Sequence, residues 1–237
     1  MTAVLRYVLS MFFCTLYHSA RVVLAAGRGE TYHPGGIYDQ VPRDYARALL
    51  RINRVSVEAE GLEQLRGLGS CVYVVNHQSW FDVLAAVDVL PGSIRFLAKK
   101  ELGRVPLFGR ALRAAGHIEI DRHDRGSALA AYEQAARSIA MGLSAVVFAE
   151  GTRSRDGRLH PLKKGPFVLA IVAQVPVVPV FVEGGYALLP KGSIHPRPGR
   201  MFVHIGASIP TAGLSYADRD ALSARARAAM VAFGARE

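Results

Sequence analysis

Four short apolar runs constrain the fold more than any other feature: SCVYVV (70–75), IRFLA (94–98), SAVVFA (144–149) and VPVVPVFV (175–182). Each is five to eight residues long, rich in β-branched or aromatic side chains and bounded by turn formers, the pattern of a buried strand. A fifth run, RVSVEAEG (54–61), alternates apolar and polar residues as a half-exposed strand does. Helical stretches lie between and after them, notably Arg125 to Met141 and the alanine-rich segment from Ser215 to Phe233. Strands that alternate with helices predict an α/β fold: a single domain with a mostly parallel mixed sheet flanked by helices. At 237 residues one such domain has enough chain for a full core. Two finer expectations follow. A short helix has Pro42 in its first turn and buries Tyr45, Leu49 and Leu50. Pro176 and Pro179 bracket a strand near the sheet edge, because proline cannot donate to a ladder.

The N-terminus differs from the rest. From Tyr7 to Ala20 there is no acidic residue, lysine or arginine. Val4, Val8, Phe12 and Leu16 form one helical row with Leu5, Leu9 and Phe13 beside it, while Thr2, Arg6, Ser10 and His18 make a polar stripe. Fourteen residues are short for a bilayer span, which needs about 17–25. The pattern suits an amphipathic helix lying in or dipping into one leaflet. A signal peptide and a core helix are the alternatives. GRGETYHPGGIYD (27–39) reads as a linker, so residues 1–27 are expected to be a membrane-associated segment and 28–237 the folded domain. The chain is 51% hydrophobic with mean hydropathy +0.19, yet carries a net charge of +10. Grease and positive charge together point to anionic membranes, nucleic acid or acidic partners. Cys14 and Cys71 offer neither a disulfide framework nor metal-ligand spacing and read as packing residues in a reduced compartment.

VVNHQSWFDV (74–83) carries the first chemical signal. Asn76-His77 leaves the end of a predicted strand, where open α/β sheets place ligands. Ser79 is positioned to cap a helix starting at Trp80, with Asp82 at its third position. His77 then lies ahead of the helix, where its ring can fold back onto the Asp82 carboxylate. By itself the pattern equally fits a capping box beside a surface histidine. AEGTRS (149–154) follows a second buried strand. There Gly151 lets backbone approach a ligand and Arg153 offers a fork of donors suited to phosphate or carboxylate. FLAKKEL (96–102) brings two lysines off a third strand. Between Arg95 and Lys164 fourteen Lys or Arg face seven Asp or Glu. So concentrated a charge suggests an anion site, although a solvated basic face explains part of it. His117, His123, His160, His195 and His204 have no metal-ligand spacing, and no metal is expected.

In order and approximate spacing, NHQSWFD, FLAKKEL, GHIEIDR (116–122), FAEGTRS and VPVVPV resemble the successive motifs of the glycerolipid acyltransferases, above all the lysophosphatidic acid acyltransferases. The resemblance covers roughly Val55 to Gly184. Two positions depart from it: Ala149 stands where the family often has proline, and Glu119 where a large apolar residue is common. The resemblance implies acyl transfer from a thioester, acyl-CoA or acyl carrier protein, to the free hydroxyl of lysophosphatidic acid, giving phosphatidic acid for phospholipid synthesis. Carried over, His77 is the general base and Asp82 orients and stabilises its imidazole. Lys99 and Arg153 bind the acceptor phosphate, and Glu150, Gly151 and Thr152 shape that loop. No cofactor beyond the acyl thioester is implied. The expected place is the cytoplasmic face of the inner membrane. An alcohol needs a base near neutral pH, and histidine is the side chain suited to that. Ser79 reads as a cap rather than a nucleophile, and Cys71 inside a strand as no nucleophile.

Two rivals remain on sequence grounds. The same chemistry can serve another acceptor, such as a lyso-ornithine lipid, another lysophospholipid or glycerol 3-phosphate. A basic non-enzymatic binder of membranes or nucleic acid explains the charge, but not the His77–Asp82 spacing or the five ordered blocks. No nucleic-acid motif is present, and nucleic acid is not an expected partner.

Overall fold

The computed structural model describes residues 2–121 and 125–236. Seven strands form one sheet: β1 (Val55–Glu60), β2 (Val72–Val75), β3 (Ile94–Lys99), β4 (Ile118–Ile120), β5 (Ser144–Phe148), β6 (Val177–Glu183) and β7 (Gly199–Ile205), in the spatial order β1-β7-β6-β2-β5-β3-β4. Helices α1 (Ala3–Gly27), α2 (Ile37–Ile52), α3 (Phe81–Val89), α4 (Phe108–Ala114), α5 (Arg125–Ala140), α6 (Gly165–Ala173), α7 (Gly185–Leu188) and α8 (Arg219–Ala232) surround it. All strand pairs are parallel except β6–β7, so β1 and β7 run against the other five. The mostly parallel mixed sheet matches the expectation. The apolar runs are explained by burial on both faces. Tyr73 and Val75 point into one cluster with Leu49, Phe81 and Leu84, while Val72 and Val74 point into the other with Phe167, Leu222 and Met230. β1, an edge strand, keeps the alternating exposure its sequence announced.

Three local expectations need correction. Pro179 lies inside β6, an interior strand opposite Val74 of β2. It is tolerated because the antiparallel ladder with β7 starts one residue later, at Val180. Pro42 lies inside α2, which begins at Ile37 and so takes in the end of the proposed linker. β7 and β4 also form strands, although only composition-neutral stretches encode them.

The largest surprise is α1. It runs 25 residues, past Arg21, and by length and composition alone it is long enough to cross a membrane. The apolar count stopped at Arg21, but the helix continues past it, and Arg21 pairs there with Asp44 of α2 at 2.8 Å. α1 packs on α2 and α4. Its polar stripe faces the protein: Ser10, His18 and Ser19 are buried, the Asn53 side chain donates to Ser10 Oγ at 3.3 Å, and Thr15 and Tyr45 share a 3.0 Å hydrogen bond. The apolar rows face outward, with Phe12 62% and Phe13 58% exposed. This inverts the usual soluble arrangement, in which the apolar stripe is the one buried.

Candidate active site

The backbone leaving β2 builds the site. The Asn76 side chain donates to the Val182 carbonyl at 2.9 Å and accepts from the Val182 amide at 2.7 Å, splicing the turn onto β6. One residue on, the His77 amide donates to Glu150 Oε1 at 2.6 Å, and the Ser154 amide donates to the His77 carbonyl at 2.7 Å. The histidine block and the EGTRS block are thereby laced together. α3 starts at Phe81, one residue later than expected. Ser79 Oγ accepts from the Phe81 amide at 3.1 Å and donates to the Leu189 carbonyl at 2.8 Å, so it caps the helix and its proton is already committed. The hydroxyl is not free to act as a nucleophile.

Asp82 is fully buried at the start of α3. Its Oδ2 accepts from the Gln78 and Ser79 amides, at 2.6 and 2.7 Å, and meets His77 Nδ1 at 3.1 Å. The capping role and the histidine contact are therefore one arrangement rather than alternatives. Because the carboxylate only accepts, Nδ1 carries the proton and Nε2 keeps its lone pair. The ring stacks on Phe148 of β5 at a centroid distance of 4.1 Å, which leaves it one orientation, and its side chain is 15% exposed. Gly185 closes the far side: a Cβ there would stand 2.2 Å from Asp82 Oδ1. The pair is fixed on every side but one.

That side is a cavity of about 1120 Å³. At its mouth stand His77, Lys99, Gly151, Thr152, Arg153, Lys163 and Lys191. Its apolar arm is walled by Val22 of α1, Val41 of α2, Val83, Leu84 and Val87 of α3, and Phe108, Ala111 and Leu112 in and around α4. Six of the seven residues singled out from sequence line this one cavity, His77, Lys99, Glu150, Gly151, Thr152 and Arg153, and the seventh, Asp82, is buried behind His77.

Their surroundings differ. Glu150 is buried and spent: one carboxylate oxygen takes the His77 amide, the other the His160 amide at 3.0 Å. Burial pushes its carboxyl above the usual range, against the pull of those two donors. Its position makes it a clip between loops rather than a direct ligand. Gly151 has φ +76, a conformation that disfavours side chains. Arg153 is half-buried and, among the described residues, has no hydrogen bond or ion pair. It lies close enough to Tyr7 of α1 to pull that phenol's pKa down, against the larger upward push of burial. Lys99 is half-exposed and meets Glu101 at 3.3 Å, whereas Lys100 is tied to Asp121. Lys163 and Lys191 were missed from sequence. Lys191 Nζ donates to Thr152 Oγ1 at 2.8 Å.

The remaining cysteine and histidine expectations also find their places. Cys71 is buried and its thiol is pushed up to about 11 by desolvation, which leaves no thiolate for attack near neutral pH. His123 falls outside the described residues. No cluster of three or more His, Cys, Asp or Glu able to hold a metal is found among the described residues.

A histidine–aspartate pair at a strand end thus faces lysine and arginine side chains and a long apolar cavity. Residues 56–183, just over half the chain, match the Acyltransferase family. The chain belongs to that family. It is 35% identical over 178 residues to a human protein named 1-acyl-sn-glycerol-3-phosphate acyltransferase alpha, covering 75% of this chain and 63% of that one. With the 1-acyl-sn-glycerol-3-phosphate acyltransferase of Cocos nucifera it shares 32% over 180 residues, 75% of this chain and 56% of the relative. The chain thus spans roughly three fifths of the length of these relatives. In fold it is similar to the crystal structure of the 1-acyl-sn-glycerophosphate acyltransferase PlsC from Thermotoga maritima, with TM-score 0.80 and 23% identity over 99% of this chain and 96% of that one.

Proposed function

We propose that this chain transfers a fatty acyl group from an acyl thioester to the free hydroxyl of lysophosphatidic acid, giving phosphatidic acid. The observation that carries the reading is the His77–Asp82 pair, held at 3.1 Å and opening onto a cavity with cations at its mouth and an apolar arm behind. The acceptor hydroxyl oxygen attacks the thioester carbonyl carbon while His77 Nε2 takes its proton. Asp82 keeps the tautomer and stabilises the imidazolium. Collapse of the tetrahedral adduct breaks the C–S bond, and His77 returns the proton to the departing thiolate. No acyl-enzyme, metal or prosthetic group is invoked, the thioester being a co-substrate. Arg153 and Lys99 hold the acceptor phosphate, and the apolar arm takes an acyl chain.

Residues 1–27 form the membrane-associated segment in this reading. The outward apolar rows of α1 enter one leaflet and its inward polar stripe grips α2. Arg153 lies close to Tyr7 of α1, which supports a phosphate site beside that helix, where a membrane-borne lysolipid would arrive. Thioesters of coenzyme A and of acyl carrier protein are cytosolic, which favours the cytoplasmic face of the membrane.

The test is a panel: purified enzyme in mixed micelles, with acyl-CoA or acyl carrier protein as donor and several acceptors. These are lysophosphatidic acid, lyso-ornithine lipid, a choline lysophospholipid and glycerol 3-phosphate. Free-thiol release dependent on lysophosphatidic acid, with phosphatidic acid as product, is the expected outcome. Faster turnover on any other acceptor overturns the acceptor assignment, and thioester consumption on none overturns the activity.

A further inference from the structure

Several basic side chains of this molecule are matched to carboxylates: Arg21 to Asp44, Arg47 to Asp88, Arg95 to Asp39, Arg113 to Glu119 and Lys164 to Asp220. Arg153, Lys163 and Lys191 are not: none has an ion pair among the described residues, yet all three line the mouth of the cavity beside Thr152. Cations gathered without counter-charge repel one another, and a multivalent anion bound among them relieves that repulsion.

Lys191 is the most firmly placed of the three. It is held in a tight turn closed by the Ser193 amide donating to the Pro190 carbonyl at 3.1 Å, with Gly192 at φ +89, the glycine position of a type II turn. That turn is pinned to the catalytic loop, since Ser79 Oγ donates to the Leu189 carbonyl at 2.8 Å and Ser79 bridges Pro190. From there Nζ reaches Thr152 Oγ1, which uses one of its three donor hydrogens. The lysine thus registers the anion site against His77 through backbone that also shapes the base.

Building on the acyltransferase reading above, we propose that Lys191 is a direct phosphate ligand of the acceptor. With Arg153 it selects a phosphomonoester dianion over neutral or zwitterionic headgroups.

The test compares wild type, Lys191→Met, Lys191→Arg and Arg66→Met on lysophosphatidic acid and on its dephosphorylated monoacylglycerol. Arg66 is an exposed cation away from the cavity and controls for net charge. Losing one charged hydrogen bond raises KM for the phosphorylated acceptor about tenfold or more. KM for the thioester and kcat/KM on monoacylglycerol stay near wild type. Lys191→Arg restores most of the loss, and Arg66→Met shows none. Equal losses on both acceptors mean that Lys191 only props Thr152, and the proposal falls. Calorimetric binding of lysophosphatidic acid by His77→Ala protein, with and without Lys191→Met, supplies a readout independent of turnover. If wild type acylates no acceptor, the functional reading falls, while weaker binding without Lys191 still upholds the phosphate site and unchanged binding overturns it.

Discussion

The two halves of the candidate active site are built on opposite principles. At the base, Asp82 Oδ2 takes three donors, His77 is stacked on Phe148 and clipped at both its amide and its carbonyl, and Gly185 leaves no room behind. A few ångströms of chain away, Arg153 has no partner among the described residues, and Lys99 holds only an exposed one. A buried carboxylate must be satisfied by the fold itself, because leaving it bare costs several kcal/mol. Cations at an open mouth stay hydrated at little cost and keep their donors for a ligand. The His77–Asp82 pair is therefore preorganised, and Arg153 and Lys99 keep donors to spare.

The sharpest way to break this contrast is at the base. His77→Ala should lower kcat by about 10²–10⁴-fold, the usual share of a positioned general base. Asp82→Asn should keep the fold, checked by circular dichroism, and lose much of the rate through the wrong tautomer. If the two act as a unit, the double variant should be little slower than His77→Ala alone. Losses that multiply would show Asp82 to be a helix cap and nothing more.

The mouth should respond more gently and only to the phosphate. Arg153→Lys keeps the charge but loses the two-pronged donor, so KM for lysophosphatidic acid should rise while KM for the thioester barely moves. Arg153→Ala should cost about 1.5–3 kcal/mol in kcat/KM. A dephosphorylated acceptor should scarcely distinguish these proteins from wild type. Equal losses on both acceptors would mean that the arginine holds its loop.

The smallest effect is expected on the outer face of α1, which is also left unfinished by the fold. Replacing Phe12 and Phe13 by serine removes two exposed rings that touch no part of the cavity. Affinity for anionic liposomes, measured by cosedimentation, should fall several-fold to about tenfold. Turnover on a monomeric short-chain acceptor should hold. Unchanged cosedimentation would falsify the lipid-facing assignment.

Much of this was legible in the residues because its physics is local. Buried strands announce themselves by apolar runs, and β2, β3, β5 and β6 fall where SCVYVV, IRFLA, SAVVFA and VPVVPVFV place them. The turn from His77 to Asp82 is spelled within six residues, since a helix cap and an Asx-type contact need nothing further away. Gly151 and Arg153 stand out for similar reasons.

What the chain could not reveal alone involves partners far apart in sequence. Glu150 reads as a residue that shapes its loop, but which groups it holds, the His77 and His160 amides, is visible only in the fold. Pro179 looks like an edge residue until the ladder is seen to begin beside it. The polar stripe of α1 looks like a wet face until Asn53 and Tyr45 of a second helix supply its hydrogen bonds. Lys191 is unremarkable as a surface lysine until a turn pinned by Ser79 carries it to Thr152. Sequence pattern determined the elements and the His77–Asp82 contact, because backbone pairing and capping are satisfied within a few residues. Which polar group is spent, which is free and which face meets water were decided by the tertiary structure alone, because those depend on what packing brings alongside.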